Sequence, residues 1–397
     1  MARDRQIIYI SASLRAVAIG ISGVILALYL TTIGLNAASV GLIISLGLSG
    51  CAIGTLLATI FTDRWGRRKT LLLLNALMVL GGVGLAVMTH HAAMIASVFL
   101  GMVNGMGRDR GAGLTVEQTI LPQTTTARER TAVFAWYNVF VDAGHAIGAL
   151  LGGLPAILRS EWSLSALSSY QWTWWICSGL SFLAGLFVLR LSRSVEPADP
   201  VLITTLSSTS RKTIIKFAGL SGLDSLGGGF LTTALIAYWF FKRFGVDESL
   251  LGPLFFFSRI ANGISHLGAA WLANRIGLIN TMVFTHLPSN LLLMAVPFAP
   301  NLFSAITLFL LRELLVEMDV PTRQSYIVAI IRPEERTRAT GITNLTRGLA
   351  WAVGPMIAGP MMQISAFAPL LIGPGIKIVY DLLLYRAFNQ IKPPEEE

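Results

Sequence analysis

Apolar stretches of about 20 residues, the length a helix needs to cross a bilayer, recur twelve times along this chain and leave little sequence between them. They read as 8–31, 38–62, 70–89, 94–121, 133–158, 169–191, 214–241, 250–273, 277–298, 302–330, 338–362 and 367–388. A water-soluble domain carries about a quarter charged residues to cover its surface, whereas here the share is 13%. Lipid is therefore the solvent, and the expected fold is an all-α membrane protein of twelve transmembrane helices. The one longer hydrophilic connection, 192–213, is rich in Pro, Ser and Thr and divides the spans six and six. The expected organisation is a first six-helix bundle over 1–191, a linker over 192–213 and a second bundle over 214–397.

The net charge of +9 does not point to nucleic acid, because it has a topological explanation. Nineteen Lys and Arg fall on the side of the N-terminus, including Arg3, Arg5, Arg64, Arg67, Arg68, Lys69, Arg128, Arg130, Arg275, Arg332 and Lys392, and three, Arg159, Lys242 and Arg243, on the other. Positive residues favour the cytoplasmic side, so both termini are expected in the cytoplasm and the protein in the cytoplasmic membrane. The opening MARDR with its apolar run imitates a signal peptide, but the run is long, contains Arg15 and lacks a small-residue cleavage site. It reads as an uncleaved first span. Cys51 and Cys177 both sit in apolar runs, which excludes a disulfide framework or a cysteine-rich metal site. Trp162, Trp172, Trp174, Trp175 and Trp239 gather near the outer span ends and read as an interfacial belt.

The two halves repeat each other. Glu129-Arg130-Thr131 returns 206 residues later as Glu335-Arg336-Thr337, and at the same offset Gly148 meets Gly354 and Gly153 meets Gly359. Near the first helix pair the offset is 211: Gly34 meets Gly245, and Asp63-Arg64-Trp65-Gly66 meets Asn274-Arg275-Ile276-Gly277. Six spans per repeat keep the halves parallel, the arithmetic of a transporter with two bundles.

The stretch DRWGRRK, Asp63 to Lys69, resembles the signature G-x-x-x-D-R-x-G-R-R/K of the major facilitator superfamily, and Arg275 and Gly277 supply its degenerate second copy. Thr59 stands where that signature has its first glycine. The resemblance extends over essentially the whole chain and implies two pseudo-symmetric six-helix bundles. It also implies a conformational latch formed by Asp63, Arg64, Gly66, Arg67, Arg68, Arg275 and Gly277. Asp63 would sit near Arg67, Arg128 or Arg130 and the positive N-terminus of span 11. Gly144 to Gly153 in span 5 is similar to the helix motif G-x-x-x-G-P-x-x-G-G of antiporter branches, with Ala149 in place of proline and a Gly354-Pro355 pair at the related place in span 11. Asp142, Gly144, His145, Gly148, Gly354 and Pro355 are the expected bundle-interface residues, and the motif favours export.

Ionised groups are costly at membrane depth and normally face protein or a wet cavity. Eight bases, Arg15, Arg108, Arg110, Arg259, Arg312, Arg323, Arg347 and Lys377, oppose eight acids, Asp109, Glu117, Asp142, Asp224, Glu313, Glu317, Asp319 and Asp381. Eleven of the sixteen lie on spans 1, 4, 7 and 10, which in the superfamily architecture line the central pathway. Arg15, Arg108, Asp109, Arg110, Asp224, Arg312, Glu313 and Glu317 are accordingly the expected substrate and proton pathway. On continuous helices Glu313 and Glu317 share a face, Asp319 and Arg323 pair, Lys377 and Asp381 form a structural pair, and Arg110 points away from Arg108. His266 and His286 read as isolated packing histidines. Arg15 and Asp224 stand at related depths and are expected to pair.

The expected function is secondary active transport of a small organic solute by alternating access, coupled to protons through Asp224, Glu317 or Asp109 and running as efflux. The protein is expected to act as a monomer without cofactor, metal or catalytic residues. Two other readings stay open: an antiporter of organic anions or phosphorylated solutes using the arginines Arg15, Arg108, Arg110 and Arg312, and a non-transporting receptor on a transporter fold.

Overall fold

A computed structural model describes residues 2–88, 90–125, 130–196, 207–331 and 335–390. The chain forms two compact units, Met1–Pro200 with Thr232–Phe256, and Val201–Leu231 with Phe257–Glu397.

The first unit begins with α1 (Ala2–Thr32), α2 (Ala37–Trp65) and α3 (Arg67–Val87). Asn36 starts α2 by accepting a hydrogen bond from the Ser39 backbone N–H, which satisfies one of the four donors every helix start leaves open. Span 4 is not one helix but two short ones, α4 (His91–Leu100) and α5 (Ala112–Ile120). Span 5 divides at Gly152-Gly153 into α6 (Arg130–Leu151) and α7 (Leu154–Trp162), and span 6 is α8 (Ala166–Val188).

Span 7 divides as well. Its first half, α9 (Ser208–Gly229), ends in Gly227-Gly228-Gly229 and belongs to the second unit, and its second half, α10 (Thr233–Phe244), belongs to the first. The second unit continues through α11 (Glu248–Ile276), whose opening turns still lie in the first, and α12 (Leu278–Ala295). Span 10 is the pair α13 (Leu302–Val316) and α14 (Asp319–Ile330); spans 11 and 12 are α15 (Arg336–Ile364) and α16 (Ala368–Phe388). Seven segments among the described residues are long and apolar enough to cross a membrane by length and composition. Spans 4, 6, 8, 10 and 11 fall outside that set, spans 4 and 10 because each is split into helices of fewer than 18 residues.

The repeat is visible in the backbone. Gly66 and Gly277, paired by the sequence, both adopt φ in the left-handed range, 97° and 85°, and Gly34 and Gly245 do the same at 88° and 69°. A side chain is strained there, so glycine recurs at the same corner of each half. The largest helix pairings, α1 with α6 and α9 with α15, also correspond. A Cβ added at Gly148 would lie 2.9 Å from Gly20 Cα, and one at Gly354 would lie 2.4 Å from Gly229 Cα. Small residues let two helix backbones approach this closely in lipid. Gly144 extends the first contact towards Ser13 and Ala16, and Pro355 is buried beside the second.

Trp162, Trp172 and Trp175 are 72%, 57% and 44% exposed, as interfacial side chains would be, but Trp174 and Trp239 are 1% exposed. These two are core residues, not belt residues. Trp174 packs edge-on to Tyr29, and Trp239 edge-on to Phe240 and Phe244.

Candidate functional site

Membrane-buried backbone must be satisfied by protein, so the broken spans are built around side chains that replace the missing helical bonds. In the non-helical segment 101–111, Gly105 and Gly107 take φ of 62°. Asn104 Oδ1 accepts from the Met106 N–H at 2.8 Å, and Asn104 Nδ2 donates to the Arg108 carbonyl at 3.3 Å. Asp109 Oδ1 accepts from the Gly111 N–H at 2.9 Å, while the Asp109 N–H donates to His145 Nε2 at 2.9 Å. The opening of α10 completes the set: the Ala234 N–H donates to the Gly105 carbonyl at 2.9 Å and Thr233 Oγ1 to the Met106 carbonyl at 2.8 Å. The helical-wheel expectation for Arg108, Asp109 and Arg110 does not hold, because no helix runs through them. Asp109 is turned inward at 7% exposure, and Arg108 and Arg110 are half-buried.

Asp109 reaches Arg15. Arg15 Nε lies 2.7 Å from Asp109 Oδ2, and the outer guanidinium nitrogens lie 2.6 Å from the two oxygens of Glu117. Tyr137 Oη donates to Glu117 Oε2 at 2.6 Å. One arginine thus ties α1 to the non-helical segment of span 4 and to the helix that follows it, with α6 contributing the phenol. His145 Nδ1 stands 3.9 Å from Asp142, whose carboxylate is mostly exposed.

In the second unit Asp224 gathers three cations: Lys377 at 2.6 Å, Arg323 at 3.4 Å and Arg347 at 3.7 Å. Arg323 also pairs with Asp319, as the i, i+4 spacing predicts. Arg347 donates to Ser225 Oγ at 3.1 Å and lies over the Trp351 ring at 4.8 Å. Arg15 and Asp224 each find their partners within their own unit. Lys377 and Asp381, expected as a pair, do not bond each other: Asp381 shares a hydrogen bond with His286 Nδ1 of α12, 2.8 Å away, and accepts one from Asn290 Nδ2, 3.3 Å away. His286 is therefore an ion-pairing histidine and not an isolated one.

Span 10 breaks because Pro321 has no N–H to give the Glu317 carbonyl; the Val320 N–H bonds it instead at 3.3 Å. Arg312 pairs with Glu313, and Asn262 of α11 holds Glu313 by its carbonyl at 3.0 Å and its carboxylate at 2.5 Å. Glu317 caps the C-terminal end of this first half-helix, half-buried and 3.9 Å from His266 Nε2. Glu313 and Glu317 consequently have separate partners.

At the α2–α3 corner Asp63 Oδ1 lies 3.4 Å from Arg67 Nε. Glu196, which no sequence motif marks, accepts from the backbone N–H groups of Arg67 at 2.6 Å and Arg68 at 3.2 Å, an anion at a helix start. Arg68 donates to the Leu189 carbonyl at 2.5 Å, and Arg64 is exposed. In the second copy Arg275 stacks over Trp271 at 4.2 Å. Arg128 lies outside the described residues, as do Glu129, Arg332 and Lys392, and Glu129's repeat counterpart Glu335 accepts from the Ser207 N–H at 2.5 Å. Among the described residues no three His, Cys, Asp or Glu side chains come together as metal ligands would.

Broken, charge-bearing spans in two six-span repeats define a multi-pass integral membrane protein of the transporter class. The profile of the Major Facilitator Superfamily matches residues 8–387, and the chain belongs to that family. It is 25% identical over 391 residues to the "Uncharacterized membrane protein YJR124C" of Saccharomyces cerevisiae, covering 90% of this chain and 87% of that one. Among solved structures it resembles the nucleoside transporter NupG, with a TM-score of 0.74 at 16% identity over 97% of this chain and 99% of that one. It resembles a D-xylose-proton symporter with a TM-score of 0.77 at 15% identity, over 98% of each chain. At these identities the likeness establishes the fold, two pseudo-symmetric six-helix bundles, and not a substrate.

Proposed function

We propose that this protein is a proton-coupled secondary transporter that moves a small organic solute by alternating access, with Glu317 as the proton carrier. The reading rests chiefly on one observation: spans 4, 7 and 10 are interrupted within their apolar length, with charged side chains in or beside the breaks of spans 4 and 10 and Lys377 packed at the end of α9 in span 7. Such breaks are where transporters of this architecture bind solutes and ions.

A coupling carboxylate has to exchange its proton within the working pH range, which a tight arginine pair prevents. Asp109 is held by Arg15, and Asp224 by Lys377, Arg323 and Arg347. Glu317 supports the role by its place: it stands at the break of span 10, 3.9 Å from His266 Nε2, and is half-buried rather than sealed from water. The lysine and arginine asymmetry supports residence in the cytoplasmic membrane with both termini inside, the glycine pattern of span 5 supports efflux, and the family resemblance supports a monomer.

A second reading, transport of an organic anion, is favoured by Arg108 and Arg110, half-buried in the non-helical segment of span 4, since guanidinium groups match carboxylate and phosphate oxygens. Flux in proteoliposomes decides between them. Under the first reading an organic cation or neutral solute drives proton movement. Glu317→Gln then abolishes proton-driven accumulation while solute exchange across the membrane persists. Stimulation by anions alone supports the second reading. Solute-dependent flux absent under every gradient overturns both and leaves a receptor.

A further inference from the structure

In the second unit the buried acid Asp381 has, among the described residues, no lysine or arginine within ion-pair distance. Lys377 and Asp381 stand one turn apart on the same face of α16, yet the Lys377 ammonium lies on Asp224, 2.6 Å away. Asp381 is 0% exposed and is held by His286, itself 1% exposed, and by the side-chain amide of Asn290. The ring of Tyr380 stands edge-on to the imidazole, with centroids 6.2 Å apart. The other charged groups on the packed helices are committed. Asp319, Arg323 and Arg347 belong to the Asp224 cluster, and on α13 Arg312 pairs with Glu313.

A carboxylate removed from water is strongly unfavourable unless a positive charge meets it. His286 and Asp381 satisfy that condition when together they hold one extra proton, whether as imidazolium and carboxylate or as imidazole and carboxylic acid; the proton belongs to the pair. We infer that His286 and Asp381 form a proton-binding site buried between α12 and α16, and that its occupancy decides whether Lys377 holds Asp224 or Asp381.

When the proton leaves, Asp381 carries an unmatched charge and the nearest mobile cation is the ammonium one turn away, on a flexible four-carbon stem. Asn290 Oδ1, buried and without a hydrogen-bond donor, is a second acceptor beside Asp381. Asp224 keeps Arg323 and Arg347, so the exchange does not strand it. The lysine stem packs at the Gly227-Gly228 end of α9, where a Cβ added at Gly227 would lie 2.8 Å from Lys377 Cγ. Moving the ammonium therefore changes what holds the break in span 7. This site is distinct from Glu317 and does not depend on which solute is carried.

The test reads the proton directly in the full chain, labelled with nitrogen-15 at histidine and reconstituted in nanodiscs. His286→Gln assigns the imidazole resonance, and Asp381→Asn identifies any carboxylic-acid infrared band from the pair. The expected result is an imidazolium signal or that acid band at pH 6, lost as the pH is raised. Lys377→Gln, which removes the competing cation, should move the loss to at least tenfold lower proton concentration. Asp224→Asn, which frees the ammonium, should move it at least tenfold the other way. A neutral imidazole beside an ionised Asp381 from pH 6 upwards overturns the proton site. If either folded variant leaves the titration where it was, the exchange of Lys377 is overturned, and the two variants serve as independent checks should one fail to fold.

Discussion

Arg15 and Glu117 meet as two parallel forks, with both guanidinium-to-carboxylate distances at 2.6 Å and the side chains 4% and 1% exposed. A bidentate geometry fixes direction as well as distance. Span 1 is thereby locked to the helix that resumes after the break in span 4. Removing one partner of a buried pair leaves the other charge uncompensated, at a cost of about 3–5 kcal/mol.

Because Asp109 still meets Arg15, Glu117→Gln should destabilise by about 3 kcal/mol, the lower end of that range. Tyr137→Phe, which removes one hydrogen bond, should cost about 1 kcal/mol. Thermal or denaturant unfolding of the detergent-solubilised chain measures both. A loss for Glu117→Gln no larger than for Tyr137→Phe would show that the fork does not hold the unit together.

The glycine contacts of the two units should respond alike. Alanine at Gly148 or at Gly354 has to push apart helices already in backbone contact, an overpacking cost of about 1–3 kcal/mol; leucine should prevent accumulation of folded protein. Alanine at Gly375, with no atom within 4 Å of the added Cβ, is the control. Equal stability of all three alanine variants would refute the close packing.

At the α2–α3 corner, Gly66→Ala forces an L side chain into φ 97° and brings a Cβ to 3.2 Å from the Glu196 carboxylate, a strain of about 1–3 kcal/mol. Glu196→Ala removes an anion from a helix start and should cost about 1 kcal/mol. Hydrogen exchange of the Arg67 and Arg68 amides reports it: protection falls in Glu196→Ala, and unchanged protection would mean the carboxylate is not their acceptor.

Arg159 ties the opening of α11 to spans 5 and 6. It lies 2.5 Å from Glu248 and 3.4 Å from Asp247, while Tyr170 donates to Glu248 at 3.0 Å. Arg159→Ala should raise amide exchange across residues 247–256 by at least tenfold while leaving α12 and α16 unchanged. Uniform exchange changes along the chain would indicate general destabilisation instead.

Much of this was legible in the residues. The apolar runs set the membrane-spanning architecture, and Gly66 and Gly277 recur because the same corner recurs. Asp319 with Arg323 followed from helical spacing alone. What misled was the assumption of continuous helices, although Gly101 to Gly111, Gly227 to Gly229 and Pro321 were written in the sequence as places where helices stop. Once span 4 unwinds at Arg108 to Arg110, a helical wheel says nothing about where those side chains point. Glu117 was visible as a buried acid but not as the second half of an arginine fork. Glu196 carried no signal at all, because its role depends on an amide pair 128 and 129 residues away.

Hydropathy, glycine spacing and the internal repeat determined by themselves that this chain lives in lipid as two related helical bundles, because burial in a bilayer constrains every span locally. The choice of ionic partners was decided only by the tertiary structure. Lys377 had Asp381 one turn away and took Asp224 instead, leaving Asp381 to His286. A charge in a low-dielectric interior is satisfied by whichever opposite group the packing brings within reach, and sequence distance has no part in that selection.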